Sequence, residues 1–438
     1  MKNTLRYYRN WQDVYKSKLI SIEDAAKLVH SNTRIFSTGW AGDPGILIGA
    51  IAARKDELEN VELCSNNSLK MDLNGPEYDG HINNNQWFVG PGARKAVQEG
   101  RGTYTVHHFG KQERDMAGLP IDYAISFVSP PDRYGFMSFG TMVGYSRFVI
   151  ENAKTTIVQV NKKMPYVRGN SLIHISEVDY VCEADEPVLT IPVIPTNEKS
   201  EAIASYIAPL IEDGATLQLG IGAIPNAVGN LLAAKHNLGI HSEMITEGMM
   251  DLMEQGAVNN TQKTMHKYKA VGCFAGGSER LYEWLEDNPF VEFYPAAYTN
   301  DPYIIAQQNK QVSINATMAV DLVGQACSES IGPKQYSGVG GQVDFILGAG
   351  LCPGGQSFLV LNSAAKTKEG VVSTIVPCLQ SGAFVSTGRN DIDSVVTEYG
   401  IAKLRGKSIR QRANALIAIA HPDYRAELQN EARRLHYI

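Results

Sequence analysis

Two features of the chain have residue types and spacing that could do chemistry. One is the run Leu217-Gln218-Leu219-Gly220-Ile221-Gly222-Ala223-Ile224-Pro225; the other is the carboxylate of Glu243. Thr216–Leu219 reads as a short strand, Gly220 to Ile224 as a turn, and Pro225 suits the first position of a new helix. A glycine turn between strand and helix leaves backbone N–H groups free to bind an anion or a developing oxyanion. Its glycines also let a ligand approach the main chain. Glu243 lies 23 residues after Gly220, at the end of an expected strand from Gly239 to Met244. Three roles fit that spacing: a cap on the next segment, a ribose-binding acid, or a nucleophile toward a bound acyl group. The ribose reading implies an NAD-dependent oxidoreductase, but the dinucleotide fingerprint needs a third glycine where Pro225 stands.

These residues need a scaffold, and the pattern around them supplies one. Helical and strand periodicities alternate, which argues for an α/β class with largely parallel sheets. Ile203, Ile207, Leu210 and Ile211 fall at helical spacing, with Pro209 expected to kink or shorten that helix. The same order recurs 181 positions earlier: a strand Thr33–Thr38, a turn Gly39-Trp40-Ala41-Gly42, then Asp43-Pro44 as N-cap and first-turn proline. A helix through Leu47, Ile51 and Arg54 follows. Gly39, Pro44, Ala52, Ala53 and Arg54 map by that offset onto Gly220, Pro225, Ala233, Ala234 and Lys235. Two duplicated α/β halves are therefore expected. The proline-rich, acidic stretch from Glu183 to Ser200 serves as the boundary, giving domains 1–190 and 191–438.

Composition bounds the class. At 438 residues, 44% apolar and 20% charged, the chain is globular and long enough for two or three domains. Forty basic against forty-six acidic residues, net −6, give no positive field for nucleic acid. The cysteines at 64, 182, 273, 327, 352 and 378 are scattered singly, as a reducing cytosol tolerates, and form no metal spacing. Met1–Asn10 has no apolar region behind it and the apolar runs are short, so neither a signal peptide nor a membrane span is expected. A cytoplasmic protein follows as the expectation.

Several long motifs then agree with one family. LQLGIGAIP at 217–225, LGIHSEM at 238–244, Ser129-Pro130-Pro131-Asp132, His174–Val178, SGVGGQVDF at 337–345 and TEYGIA at 397–402 run in order along nearly the whole chain. Together they resemble the acetyl-CoA hydrolase/transferase family of coenzyme A transferases, with 4-hydroxybutyrate and butyrate–acetate CoA-transferases the nearest branch. The resemblance implies two similar open α/β domains with mostly parallel sheets and an active site between them. It implies a ping-pong reaction with short-chain acyl-CoA and carboxylate partners, in which CoA is a substrate and no metal or tightly bound cofactor is used. A homodimer or dimer of dimers is the expected assembly.

The resemblance assigns the nucleophile to Glu243 and CoA contacts to Gly220, Ile221, Gly222, Ala223 and Ile224 and to the cluster Gly338-Val339-Gly340-Gly341. Gly340 and Gly341 are the expected donors near the thioester carbonyl, and Lys366 is a candidate for the CoA tail. Gln218 is either a ligand for the substrate carboxylate or a buried structural amide. Trp40 stands where this branch is expected to carry a polar ring, which leaves the acyl group open. An acyl-CoA hydrolase on the same scaffold is the near alternative. Glu62 is read as a solvent-facing strand residue, His107 and His108 as facing opposite sides, and His241 as a structural histidine. Lys403, Arg405, Lys407, Arg410 and Arg412 read as a solvated helix start or an attractor for CoA phosphates.

Overall fold

Tyr123–Val128 (β5) is buried at every position, the mark of a parallel strand covered on both faces. It belongs to a sheet with Arg34–Ser37 (β1), Val61–Asn66 (β2), Ile82–Phe88 (β3), Thr103–Tyr104 (β4), Thr155–Val160 (β6) and Tyr180–Glu183 (β7). The seven strands run in the order β7-β6-β5-β1-β2-β3-β4 and every pairing is parallel. The chain winds outward from β1 in one direction and then restarts at β5 on its other side. The turn after β1 thus lies at a topological switch point, where open α/β sheets bind ligands.

The second sheet holds Thr216–Leu219 (β8), Gly239–Ile240 (β9), Gln311–Ala316 (β10), Gln356–Val360 (β11), Ser394–Thr397 (β12) and Gly400–Lys403 (β13). Its order is β9-β8-β10-β11-β12-β13, parallel except for the last pair. β8 has the place here that β1 has in the first sheet, with the next strands on either side of it.

This computed structural model describes residues 9–67, 73–368 and 370–438, so residues 1–8 of the Met1–Asn10 reading lie outside the described residues. Two compact units result. One comprises Met1–Pro192, Val271–Thr299 and Gln335–Gly338; the other comprises Val193–Ala270, Asn300–Lys334 and Val339–Ile438. The division near 190 falls in the irregular stretch 184–197, but the chain crosses between units again later. Among the described residues no helix is long and apolar enough to cross a membrane. All six cysteines are free thiols.

The strand–turn–helix order expected at both glycine turns is present, with corrections at the helix starts. In the first unit the helix is Gly45–Ala52 (α1), with Pro44 just before it. The N-cap position falls on Pro44 rather than Asp43, whose Oδ1 accepts a 2.7 Å bond from the buried Ser37 hydroxyl. Leu47, Ile48 and Ile51 press onto Ile35, Leu63 and Ile125 of the sheet. In the second unit Glu198–Ile207 (α2) ends where Pro209 was expected to end it, tightening into a 3-10 turn over Ala208–Leu210. Ala223–Leu232 (α3) starts two residues earlier than expected, so Pro225 is its third residue. A first-turn N–H has no intrahelical acceptor, so proline costs nothing there. Near the C-terminus the helix Ile409–Ile419 (α5) buries Ala413, Leu416 and Ile417 with Leu359, Val395 and Ala402.

Gly39 has φ +72°, and a Cβ there would overlap the Asn66 main chain. Gly118 also has a positive φ, +90°, but a Cβ added there would meet nothing within 4 Å. Gly118→Ala should therefore cost only left-handed strain, about 1–2 kcal/mol. Gly39→Ala should cost that plus overpacking, more than about 2 kcal/mol in total. Chemical denaturation of the two variants checks this; equal losses would show that Asn66 does not confine the turn.

Candidate active site

The strand expected through Met244 stops at Ile240. The Gly239 N–H still donates to the Ala215 carbonyl just before β8, at 2.9 Å, and the His241 N–H to the Leu217 carbonyl within it, at 3.1 Å. Beyond them the Ser242 hydroxyl donates to the Met244 carbonyl at 2.9 Å, a local bond that competes with sheet pairing. Glu243 is thereby delivered just past the carboxyl end of β9, on the same edge of the sheet as the glycine turn that follows β8. His241 is fully buried, its Nδ1 3.2 Å from Gln308 Nε2 and its carbonyl bonded by Gln311 Nε2 at 3.2 Å. It has the structural setting expected of it.

Glu243 Oε2 accepts a 2.6 Å hydrogen bond from Asn300 Nδ2, and the Gly341 backbone N–H also donates to the carboxylate. Gly341 precedes Gln342–Leu351 (α4), so the carboxylate faces the positive end of a ten-residue helix. A side chain at Gly341 would overlap both Glu243 Oε2 and Asn300 Nδ2, so only glycine leaves room for this contact. Gly340, with φ +58°, bends the chain into it. Burial pushes the Glu243 carboxyl up to about 7; the Asn300 bond opposes that, the Asp344 charge adds to it, and the Gly341 bond opposes it. Asp344 is itself buried, in the first turn of α4.

Gln218 lies opposite Ser313 in the pairing of β8 with β10. The Ser313 hydroxyl donates to its Oε1 at 2.8 Å, and Gln218 and Asn315 exchange reciprocal amide bonds of 3.1 Å. Both ends of the amide are occupied within the sheet, the geometry of a buried structural amide. In the turn, Gly220 N–H donates to the Ile314 carbonyl at 3.1 Å, the Ile221 side chain is exposed, and Gly222 (φ +128°) precedes α3. Ala223 and Ile224 form the first turn of α3. Lys366 is exposed on a hairpin of Ala364–Thr367 with Gly370–Ser373.

The structure thus brings Glu243 and Gly341 into contact, sets the 220–224 turn on the neighbouring strand end, and leaves Lys366 on a separate hairpin. Asn300 was missed in the sequence. It precedes Asp301-Pro302, where Asp301 caps a short helix, and a helix start conceals the different job of the residue before it. Asp344 sits inside the SGVGGQVDF motif, but nothing in that string says it faces Glu243.

Other expectations resolve locally. Glu62 is half-buried rather than freely solvated: Arg34 Nε lies 2.5 Å and Asn85 Nδ2 2.8 Å from its oxygens. His107 is buried against Gln112 and His108 exposed, so the two face opposite ways. Trp40 adopts φ +52°, and its indole N–H donates to the Ala275 carbonyl at 3.2 Å. Of the basic run, Lys403, Arg405, Lys407 and Arg410 are exposed, while Arg412 donates to the Val323 and Arg389 carbonyls. Among the described residues no group of three His, Cys, Asp or Glu side chains is placed to hold a metal.

Comparison with known proteins agrees with these features. Residues 1–195 match the acetyl-CoA hydrolase/transferase N-terminal domain and residues 277–432 its C-terminal domain. The chain is 44% identical, over 100% of both chains, to succinyl-CoA:cyclohexane-1-carboxylate CoA transferase of Geobacter metallireducens. It is also 44% identical to 4-hydroxybutyrate coenzyme A transferase of Clostridium kluyveri, covering 97% of this chain and 99% of the other. The crystal structure of RipA from Yersinia pestis superposes with a TM-score of 0.93 at 35% identity, over 98% of this chain and 100% of that one. The chain belongs to the acetyl-CoA hydrolase/transferase family.

Proposed function

We propose that this protein is a CoA-transferase. It moves coenzyme A between a short-chain acyl-CoA, such as butyryl- or 4-hydroxybutyryl-CoA, and acetate or a similar carboxylate, with Glu243 as nucleophile. One observation carries the reading: a carboxylate raised to about 7, held by Asn300 Nδ2 and the Gly341 N–H at the start of a buried helix. The full-length likeness to two CoA-transferases supports the reaction class.

The steps balance without any redox change. A Glu243 oxygen attacks the thioester carbonyl, the C–S bond breaks, and an acyl–glutamyl anhydride and CoA thiolate form. The thiolate attacks the Glu243 carbonyl carbon, expelling the first carboxylate and leaving a glutamyl-CoA thioester. The second carboxylate attacks that thioester and reverses the sequence. Oε2, bound by Asn300, becomes the glutamyl carbonyl oxygen, leaving Oε1 to attack. The Asn300 and Gly341 donors then face the charge that grows on the glutamyl oxygen in each tetrahedral step. Gly340 and the 220–224 turn are the main-chain surfaces proposed to meet CoA, and Lys366 its tail. Gln218 would have to release Asn315 to meet a carboxylate.

A hydrolase would differ only in letting water reach the glutamyl intermediate. The same reading has the protein in the cytoplasm as a homodimer or dimer of dimers, and six free thiols suit that compartment.

Incubation with butyryl-CoA, followed by borohydride or hydroxylamine trapping and intact mass, should give an adduct at Glu243 that Glu243→Ala abolishes. CoA release without any carboxylate acceptor would mark a hydrolase, and absence of an adduct would sink the nucleophile role. Loss of one donor in Asn300→Ala should lower kcat by about 10²–10³ with a folded protein. Gly341→Ala, which displaces the carboxylate, should lose at least as much; parent-like kcat in either variant would contradict the role of that donor.

Adduct formation should rise with pH through about 7, as the carboxylate form appears. A carboxyl raised in the folded state stabilises the fold below its ordinary value of 4.5 and loses that contribution as pH climbs through about 7. Glu243→Gln should therefore gain stability relative to the parent between about pH 5 and about pH 8. Parallel melting curves would refute this.

A further inference from the structure

Ile240, three residues before Glu243, has its N–H and C=O on the outer edge of β9, because its neighbours Gly239 and His241 make the bonds to β8. Both outward groups are gripped by buried side chains from one loop. Asn260 Oδ1 accepts from the Ile240 N–H at 2.9 Å, and Lys263 Nζ donates to the Ile240 carbonyl at 2.7 Å. Lys263 is wholly buried and Asn260 is 1% exposed. The same Nζ donates to the Lys269 carbonyl at 2.7 Å, tying the far end of the loop to the strand. A Cβ at Gly239 would overlap the Lys263 stem, so that glycine makes the channel in which the lysine lies.

Burying a lysine wholly is expensive, and its solvation must be replaced by well-placed acceptors. A backbone N–H in a further strand could have satisfied the Ile240 carbonyl at far lower cost. What the lysine does instead is fix one short strand end from the side, through a single atom that bridges two carbonyls.

We infer that Lys263, with Asn260 opposite it, is a positioning residue that holds the Ile240 peptides so that the next three residues bring the Glu243 carboxylate to Asn300 and Gly341. The inference rests on the nucleophile role of Glu243 proposed above. Neither side chain touches the reacting atoms; they act through the main chain, where a displacement of about an ångström costs orders of magnitude in rate.

The test uses the full-length protein with butyryl-CoA and acetate. Lys263→Met keeps the stem and removes the donors. The expected result is a folded protein with kcat lowered tenfold or more, KM for butyryl-CoA within twofold of the parent, and the trapped Glu243 adduct slowed by the same factor. A fall in kcat of less than fivefold, or a loss that falls on KM, overturns the inference, since a merely structural residue would lower the melting temperature and leave kcat alone. If Lys263→Met does not fold, Asn260→Ala is measured by the same criteria and decides. Glu243→Gln run in parallel separates the two ideas. Full activity of Glu243→Gln would remove the nucleophile reading itself, whereas its inactivity beside a fully active Lys263→Met would remove only this one.

Discussion

A half-buried carboxylate at the head of a buried helix is the constraint on which the rest depends. Burial and the Asp344 charge raise the Glu243 pKa, while Asn300 and the Gly341 N–H hold it down, and the balance falls at about 7. A solvated carboxylate is ionised at neutral pH but weakly basic and wrapped in water. One held by two fixed donors in a half-buried site is ionisable near neutrality and already oriented. In the proposed mechanism the donors that restrain the ground-state charge also face the oxyanion, so that no reorganisation is needed when the charge shifts.

That arrangement dictates features far along the chain. α4 must start with glycine, because any Cβ at position 341 would fill the space of the carboxylate. The segment carrying Glu243 must leave the sheet after two strand residues, and side chains grip its edge where a neighbouring strand would otherwise pair. The Gln218–Ser313–Asn315 amide lock fixes β8 against β10, and with it the turn that begins α3. The sheets supply the general location, at strand ends beside a switch point; glycine and buried amides supply the final ångström.

How much of this was legible in the sequence depends on the range of the forces involved. Strand–turn–helix order was legible at both glycine turns, because apolar periodicity and proline act locally. The kink at Pro209 was legible for the same reason. Helix starts were misjudged by one residue at Pro44 and by two at Pro225, because the end of a helix is set by individual bonds that apolar periodicity does not encode. Asn300 and Lys263 were invisible: each meets its partner across 57 or 23 residues of chain, and neither has a local pattern to mark it. That Glu62 is half-buried and paired was not legible, because Arg34 and Asn85, its partners on the neighbouring strands, are not adjacent to it in sequence.

The most direct measurement of the central claim follows an oxygen atom. A single turnover of CoA-loaded protein with acetate carrying 18O in both carboxylate oxygens is quenched and digested, and the peptide containing Glu243 is weighed. The acetate oxygen that bridges the anhydride must remain on Glu243 when CoA thiolate takes the acetyl group, so the peptide should gain one heavy oxygen. If the label stays wholly in the acetyl product and unreacted acetate, Glu243 never shares an anhydride with the substrate, and the role given to its carboxylate is wrong.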